Sequence, residues 1–330
     1  MQLELGDVLG DRGMSLSTLL SLQQSPLLWA AYGTLPAQAE PTPEPQPETP
    51  EPQPQPEDNT PQPENSLTAG LTFADNGSPS QTVIPTASKS YIVAGSVFIK
   101  NSVGRSIDTA LLDGTFPAKL GDSTQPQVLI IHTHGSEAYT MPAGEEYTPS
   151  GSYRTADTEK NMIRVGDEIA AVLSQYGISV LHDRQIHDSD YNSAYGKSRS
   201  SAAAYLEKYP SLSFVLDIHR DAISDAEGRQ YKVVSKEDPR AAQLSIVMGS
   251  NYGAWMDNLR LAAAVQANLL KEHPTLMRPI ILRSYGYNQG LCNGSLLVEV
   301  GAAGNSLDEA IYSARLFAVG FAETLGAEKS

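Results

Sequence analysis

Histidines and acids stand directly after, or inside, apolar segments of this chain, although its 330 residues contain only six histidines. They are His132, His134 and Glu137 in VLIIHTHGSE, His219 in FVLDIHRDA, and Glu299 in LLVEVG. Catalytic zinc sites use three ligands of these two kinds and leave a position for water. The ion lowers the pKa of that water, and a free carboxylate nearby can transfer its proton. The pattern therefore predicts metal-assisted hydrolysis.

His134 and His219 are the predicted nitrogen ligands, and Glu299 is the predicted acid/base. A glutamate inside LLVEVG would be buried, which is costly without a partner or a function. Residue types and spacing do not decide the third ligand. The candidates are Glu159, at the start of a predicted helix, Glu137 and His132.

Apolar segments alternate with amphipathic helical patterns from about residue 90 onward. Strands are predicted at PQVLII, ISVLHD, LSFVLDIH, AQLSIVMGS, MRPIILRS and GSLLVEVG, and the helix EKNMIRVGDEIAAVLSQYG closes at Gly177. Such alternation is typical of an α/β fold with a mostly parallel sheet that helices flank on both faces. Since sites in open α/β sheets form at the carboxyl ends of strands, the polar segment ends are expected to converge.

Structural roles compete with these chemical ones. The histidine pair in HTH would also suit a strand end at which imidazoles cap backbone groups. Arg220 in DIHRDA is predicted to help stabilise an oxyanion, or else to bridge the two acids around it. Glu159 would complement the positive end of a helix. The residues after the second strand are expected to have structural or substrate-contact roles. They include His182, His187, Tyr191 and Tyr195.

Other chemistries find little support. NGSLL does not provide the GxSxG of a serine hydrolase, and no phosphate loop, dinucleotide fingerprint or HExxH helix is present. The single cysteine, Cys292 in GLCNG, lacks a neighbouring base or helix start that would lower the pKa of its thiol.

The segment at residues 40–65 contains ten of the 22 prolines and seven acids without a basic residue. It is predicted to be extended and solvated, because it has little apolar surface to bury. Its acids make up nearly half of the formal charge of −15, so a nucleic-acid surface is not expected in the rest. The predicted organisation is an N-terminal segment at 1–39, a disordered linker at 40–85 and a catalytic domain at 86–326.

The first 39 residues are apolar but interrupted by glutamines and a proline, and AQA at 37–39 has the form of a signal-peptidase site. No segment reaches the ~20 apolar residues of a membrane span. A weak export signal or a truncated anchor is therefore predicted, and with it an extracytoplasmic location.

Several motifs occur here in the order in which the stage II sporulation protein P family has them, and the chain resembles that family over roughly residues 90–326. The motifs are VLIIHTHGSEAYT, TEKNMIRVGDEIAAVLSQYGI, YNSAYGKSR, FVLDIHRDA and LLVEVGAAGNSLDEA. That family is similar in turn to zinc-dependent N-acetylmuramoyl-L-alanine amidases, which implies an amidase-like fold. The resemblance places zinc ligands at His134, Glu159 and His219, the acid/base at Glu299, and an accompanying asparagine at Asn305. The chain departs from the amidase pattern in HTHGSE and in HRDA.

The resemblance implies a peptidoglycan hydrolase that acts in septal thinning and engulfment during endospore formation. It implies cleavage between muramic acid and L-alanine, and endopeptidase cleavage of peptide cross-links. It also implies an N-terminal membrane anchor at the sporulation septum, and stage II sporulation proteins D and M as partners. The alternative is a peptidoglycan-binding scaffold that keeps the amidase fold without catalysis, which would release no product.

Overall fold

The computed structural model describes residues 67–85 and 91–329. The chain divides into two units, Met1–Gly70 and Leu71–Ser330. The first unit is described only at its final turn, so the predicted N-terminal segment at 1–39 lies outside the described residues. Among the residues that are described, no helix is both long and apolar enough to cross a membrane.

The second unit begins earlier than the predicted domain boundary at residue 86. A short strand, β1 (Ser80–Gln81), pairs in parallel with β7 (Lys232–Val233). The stretch at 71–85 therefore belongs to the folded unit, and its prediction as linker is corrected. The polar composition of this stretch gives no strand signal, and its pairing partner, β7, lies far along the chain.

Eight further strands form the main sheet. They are β2 (Ile92–Ala94), β3 (Val97–Asn101), β4 (Val128–Ile131), β5 (Val180–His182), β6 (Phe214–Asp221), β8 (Leu244–Gly249), β9 (Ile280–Arg283) and β10 (Ser295–Ala302). Their order across the sheet is β2-β3-β9-β8-β10-β6-β4-β5. Neighbours pair in parallel, except that β2 with β3 and β10 with β8 are antiparallel. The predicted mostly parallel α/β sheet is confirmed, with a reversal at β8 that was not predicted.

Four α-helices accompany this sheet within the described ranges. They are α1 (Met162–Gln175), α2 (Ala194–Lys208), α3 (Trp255–Glu272) and α4 (Leu307–Thr324). Helix α2 packs in one apolar cluster with Leu129 of β4 and Val215 of β6. Phe214 of β6 contacts Phe321 of α4, with ring centroids 5.7 Å apart. Since successive strand residues point to opposite faces, α2 and α4 flank opposite faces of the sheet, as predicted.

Strand β6 is buried at every position, including its polar carboxyl end. Asp217, His219, Arg220 and Asp221 are at most 7% exposed. Buried polar groups need hydrogen-bond or charge partners, because desolvation alone is costly. The partners of these side chains define the candidate site.

Candidate active site

The polar ends of β4, β6 and β10 meet at one edge of the sheet. His134 and Glu137 lie in the turn after β4, and His219 of β6 is in register with Glu299 of β10. His134, Glu137 and His219 are all buried, and one ligand atom of each lies within 4.8 Å of the others. Two imidazoles and one carboxylate form a donor set that is typical of catalytic zinc sites.

Asp217 orients the turn after β4 and one of the two imidazoles. Thr133 donates its N–H to Asp217 Oδ1 at 2.8 Å and its hydroxyl to Oδ2 at 2.6 Å. His219 Nε2 lies 2.9 Å from Asp217 Oδ1. The other ring nitrogen, His219 Nδ1, then lies 3.5 Å from Glu137 Oε2. Asp217 thus pairs by charge with His219 on the side of the ring away from Glu137, without the geometry of a hydrogen bond.

Opposite charges stabilise the ionised forms of this group. Burial alone would raise the pKa of Glu137, but Arg220 and the two histidines hold the pKa of its carboxyl well below the ordinary value. Burial likewise opposes a charge on His219, but Asp217 and Glu137 raise the pKa of its imidazole well above the ordinary value. The group thus favours positive charge at its centre, which a divalent cation would also supply. The residues therefore fit a zinc ion.

Glu299 lies beside this group with a raised pKa. Burial, reinforced by the charge of Asp221, raises the pKa of Glu299 to about 8. Its Oε2 atom is buried and makes no hydrogen bond within the described part of the chain. A carboxyl group that exchanges its proton near neutral pH is suited to acid/base chemistry.

Glu159 does not lie in this group. It is exposed, and its backbone N–H donates to Asp157 Oδ1 at 3.0 Å. Helix α1 begins only after Asn161, which caps it by accepting the N–H of Ile163. Glu159 therefore stands in the solvent-facing turn before the helix, and its predicted ligand role does not fit. Glu137, predicted as an alternative, lies in the group with His134 and His219 instead.

His132 also lies outside the group. Its Nδ1 lies 3.0 Å from the carbonyl oxygen of Ile218, and its Nε2 lies 2.8 Å from His182 Nε2. Burial, with the adjacent His182, lowers the pKa of His132 to about 3. Both ring nitrogens are engaged in hydrogen bonds, so the alternative ligand role of His132 does not fit the structure.

Arg220 is engaged by the backbone. Its guanidinium donates to the carbonyl oxygens of Ala138 at 3.0 Å, Tyr153 at 2.9 Å and Asp221 at 3.4 Å. These bonds tie the segment after β4 to β6. An arginine whose guanidinium is already bonded to these carbonyl groups does not fit the predicted oxyanion role. Its charge instead lowers the pKa of Glu137.

Arg154 and Asp188 were not singled out from the sequence. Arg154 Nη1 pairs with Asp188, and Arg154 Nη2 lies 3.2 Å from Glu137 Oε1. Asp188 in turn accepts the hydroxyl of Ser136 at 2.6 Å and its N–H at 3.1 Å. The partners of Arg154 lie 17 and 34 residues away, so no local spacing could reveal this support of Glu137.

Two tyrosines flank His134, in line with the expected contact roles after the second strand. Tyr191 stacks on the His134 ring with centroids 4.6 Å apart and an interplanar angle of 19°. Tyr195 meets the same ring edge-on at 5.6 Å. The imidazole is therefore held between aromatic rings, which restrict its rotation.

Asn305 shapes the turn after β10. Its Oδ1 accepts the N–H of Ala302 at 2.9 Å and that of Val233 at 3.1 Å. Gly301 has a φ of 64°, and a Cβ there would lie 2.9 Å from Asn305 Oδ1. Asn305, which the family resemblance predicted to accompany the site, thus positions the turn behind Glu299.

Fold and site together define an α/β protein with a buried His–Glu–His group of metal-binding type. The chain belongs to the stage II sporulation protein P family, whose family model matches residues 36–322. Stage II sporulation protein P of Bacillus subtilis (strain 168) is 25% identical over 225 residues, which cover 63% of this chain and 53% of that protein. The chain thus spans about half the length of that relative. The predicted family is confirmed.

Solved structures of amidases are also similar to the chain. N-acetylmuramoyl-L-alanine amidase AmiC2 of Nostoc punctiforme is 14% identical, with 61% of this chain and 97% of that chain covered and a TM-score of 0.38. The CwlD amidase from Clostridioides difficile, in complex with the GerS lipoprotein, is 12% identical, with 61% and 98% covered and a TM-score of 0.40.

Proposed function

We propose that the chain is a zinc-dependent peptidoglycan hydrolase that cleaves the amide bond between muramic acid and L-alanine during endospore formation. The observation that carries the proposal is the buried group of His134, Glu137 and His219 with Glu299 beside it. Membership of the sporulation family and the amidase-like motifs support the substrate class.

His134, Glu137 and His219 are the residues that would hold the zinc ion. When bound, zinc supplies a Lewis acid that polarises a carbonyl group and lowers the pKa of water. Asp217 orients His219, and Arg154 holds Glu137 at 3.2 Å. The donors are thereby placed before an ion arrives, which reduces the reorganisation that binding requires.

Glu299 moves the proton in the proposed reaction. As a carboxylate it takes a proton from the attacking water, and as the acid it gives that proton to the leaving amide nitrogen. The raised pKa of about 8 suits the second step. Glu299 would be the carboxylate needed for the first step when the ligand group holds a cation, because a nearby positive charge favours the ionised form.

The proposal extends to the peptide cross-links, because they present the same amide group to the same centre. Action at the sporulation septum and engulfing membrane, an N-terminal membrane anchor, and partnership with stage II sporulation proteins D and M also belong to it. These parts rest on the family resemblance.

Mass spectrometry of muropeptides tests the proposal. Peptidoglycan is incubated with the purified full chain, with a chelator, and with the chelator followed by zinc. We expect free stem peptides that vanish with the chelator and return with zinc, and split cross-linked dimers if endopeptidase activity is present. The Glu299→Gln variant should bind zinc and release no product. Product formation in the presence of the chelator, or by the Glu299→Gln variant, would contradict the mechanism. Binding without product would favour the scaffold alternative.

A further inference from the structure

Three tyrosine rings extend outward from the metal-type group. The centroid of Tyr195 lies 5.6 Å from that of His134, Tyr287 follows at 6.0 Å from Tyr195, and Tyr285 at 5.9 Å from Tyr287. We call Tyr195, Tyr287 and Tyr285 the tyrosine row. Its exposure increases outward, and Tyr285 reaches 69%. An aromatic strip thus connects the buried site with the surface.

The loop after β9, which carries the two outer rings, is firmly anchored. Asn288 Nδ2 donates to the carbonyl oxygen of Tyr195 at 3.1 Å. Gln289 Oε1 accepts the N–H of Gly249, at the end of β8, at 2.8 Å. A Cβ at Gly249 would lie 2.3 Å from the carbonyl oxygen of Tyr285, so the loop packs directly on β8. The exposed ring therefore stands on a rigid support.

Backbone strain in this loop points to a binding role. Tyr287 and Asn288 have φ values of 48° and 58°, in the left-handed region. A non-glycine side chain is uncommon there, and such a conformation persists where the surroundings enforce it, commonly at ligand sites. The bond from Asn288 to the Tyr195 carbonyl oxygen helps to hold this conformation.

We propose that the tyrosine row is a glycan-binding subsite, on which sugar rings of a polysaccharide strand stack beside the reacting amide. The proposal rests on the proposed function for the identity of the polymer. Aromatic faces carry negative charge density and attract the C–H groups on the flat face of a pyranose ring. The phenol groups can also exchange hydrogen bonds with sugar hydroxyls.

Exposure favours this side of His134 for the glycan. On the other side, the guanidinium of Arg154 lies 5.1 Å from the ring centroid of Tyr191 and is already paired with Asp188 and Glu137. The outer end of the tyrosine row presents the ring of Tyr285 at 69% exposure. The sugar chain is therefore assigned to the tyrosine row.

Binding of soluble β-1,4-linked N-acetylglucosamine oligomers to the full chain tests the subsite by isothermal titration. Three changes at Tyr285 separate the contributions, because this side chain is exposed and its loss should not disturb folding. Tyr285→Ala removes the ring, Tyr285→Leu keeps apolar surface without a flat ring, and Tyr285→Phe keeps the ring without the hydroxyl. We expect five- to tenfold weaker binding for Ala and Leu, and a change of less than about twofold for Phe.

Activity provides an independent readout. On polymeric peptidoglycan, Tyr285→Ala should raise KM and leave kcat unchanged, whereas cleavage of a short muropeptide should not change. The titration needs no turnover, so oligomer binding by a chain without hydrolase activity would support the subsite while rejecting the proposed function. Absence of oligomer binding by the unmodified chain, or wild-type affinity in Tyr285→Leu, would overturn the subsite.

Discussion

The Nε2 atoms of His132 and His182 lie 2.8 Å apart, so one imidazole donates a hydrogen bond to the other. His132 Nδ1 donates to the carbonyl oxygen of Ile218, so in a neutral His132 ring Nε2 accepts and His182 is the donor. Burial lowers the pKa of both histidines, that of His132 to about 3. The pair connects β4 to β5 directly behind the turn that carries His134.

Replacing Gly166 by alanine should destabilise the protein, although alanine is the better helix former. A Cβ at position 166 of α1 would lie 2.5 Å from His132 Nε2 and 2.6 Å from His182 Nε2. We expect a loss of about 1–3 kcal/mol in urea unfolding, as for other overpacked cores. A Cβ at Gly196 of α2 would meet no atom of the described residues within 4 Å, so Gly196→Ala is the matched control and should stabilise slightly. Equal stability of Gly166→Ala and wild type would contradict the contact.

Acid should weaken folding through His132. Its folded-state pKa of about 3 lies below the ordinary value of 6.5, so its contribution is complete above pH 6.5 and is lost as the pH falls toward 3. At pH 5 the loss from this group amounts to about 2 kcal/mol. The difference in unfolding free energy between pH 7 and pH 5 should be smaller by that amount in His132→Asn than in wild type. Identical pH dependences would rule out a buried neutral histidine.

In protein treated with a chelator, the contribution of Glu299 to stability should fall as the pH rises, which is opposite to that of His132. Its folded-state pKa of about 8 exceeds the ordinary 4.5, so its favourable contribution is present below pH 4.5 and is lost as the pH rises through 8. Melting temperatures measured between pH 5 and pH 8.5 should fall more steeply for wild type than for Glu299→Gln. A parallel fall in both proteins would show that Glu299 is not protonated in the folded state.

The third metal ligand is decided by comparing Glu137→Gln with Glu159→Gln. Glu137 lies 3.5 Å from His134 Nδ1 and from His219 Nδ1, whereas Glu159 is exposed in the turn before α1. Elemental analysis of zinc after dialysis should show metal retained by Glu159→Gln and lost from Glu137→Gln. Both variants keep the side-chain size, so the comparison isolates the charge. Loss of zinc from Glu159→Gln alone would restore the assignment that the family resemblance implies.

The elements that position the site could be predicted because their signals are local. The strands around VLII, FVLDIH and LLVEVG are continuous apolar runs, and α1 has both a capping residue, Asn161, and a closing glycine, Gly177, with a φ of 68°. The apolar neighbours of Glu299 in LLVEVG likewise predict that this glutamate is buried.

The choice among possible ligands could not be predicted, because it depends on contacts between distant segments. Glu137 is held by Arg154 and Arg220, while His132 turns toward His182 and the Ile218 carbonyl. The helix-start motif favoured Glu159 as the third ligand. Residue type and spacing alone do not show which way a side chain faces.

The sheet order has a consequence for synthesis of the chain. Strand β10 is the last strand in the described sequence, yet it lies between β6 and β8. A ribosome therefore completes both flanking portions of the sheet before it makes the strand that joins them. His134, Glu137 and His219 all precede Glu299 along the chain, so a growing polypeptide carries these three residues well before Glu299. Such long-range pairing delays folding until the final strand is available, so the four side chains come together only after β10 has been made.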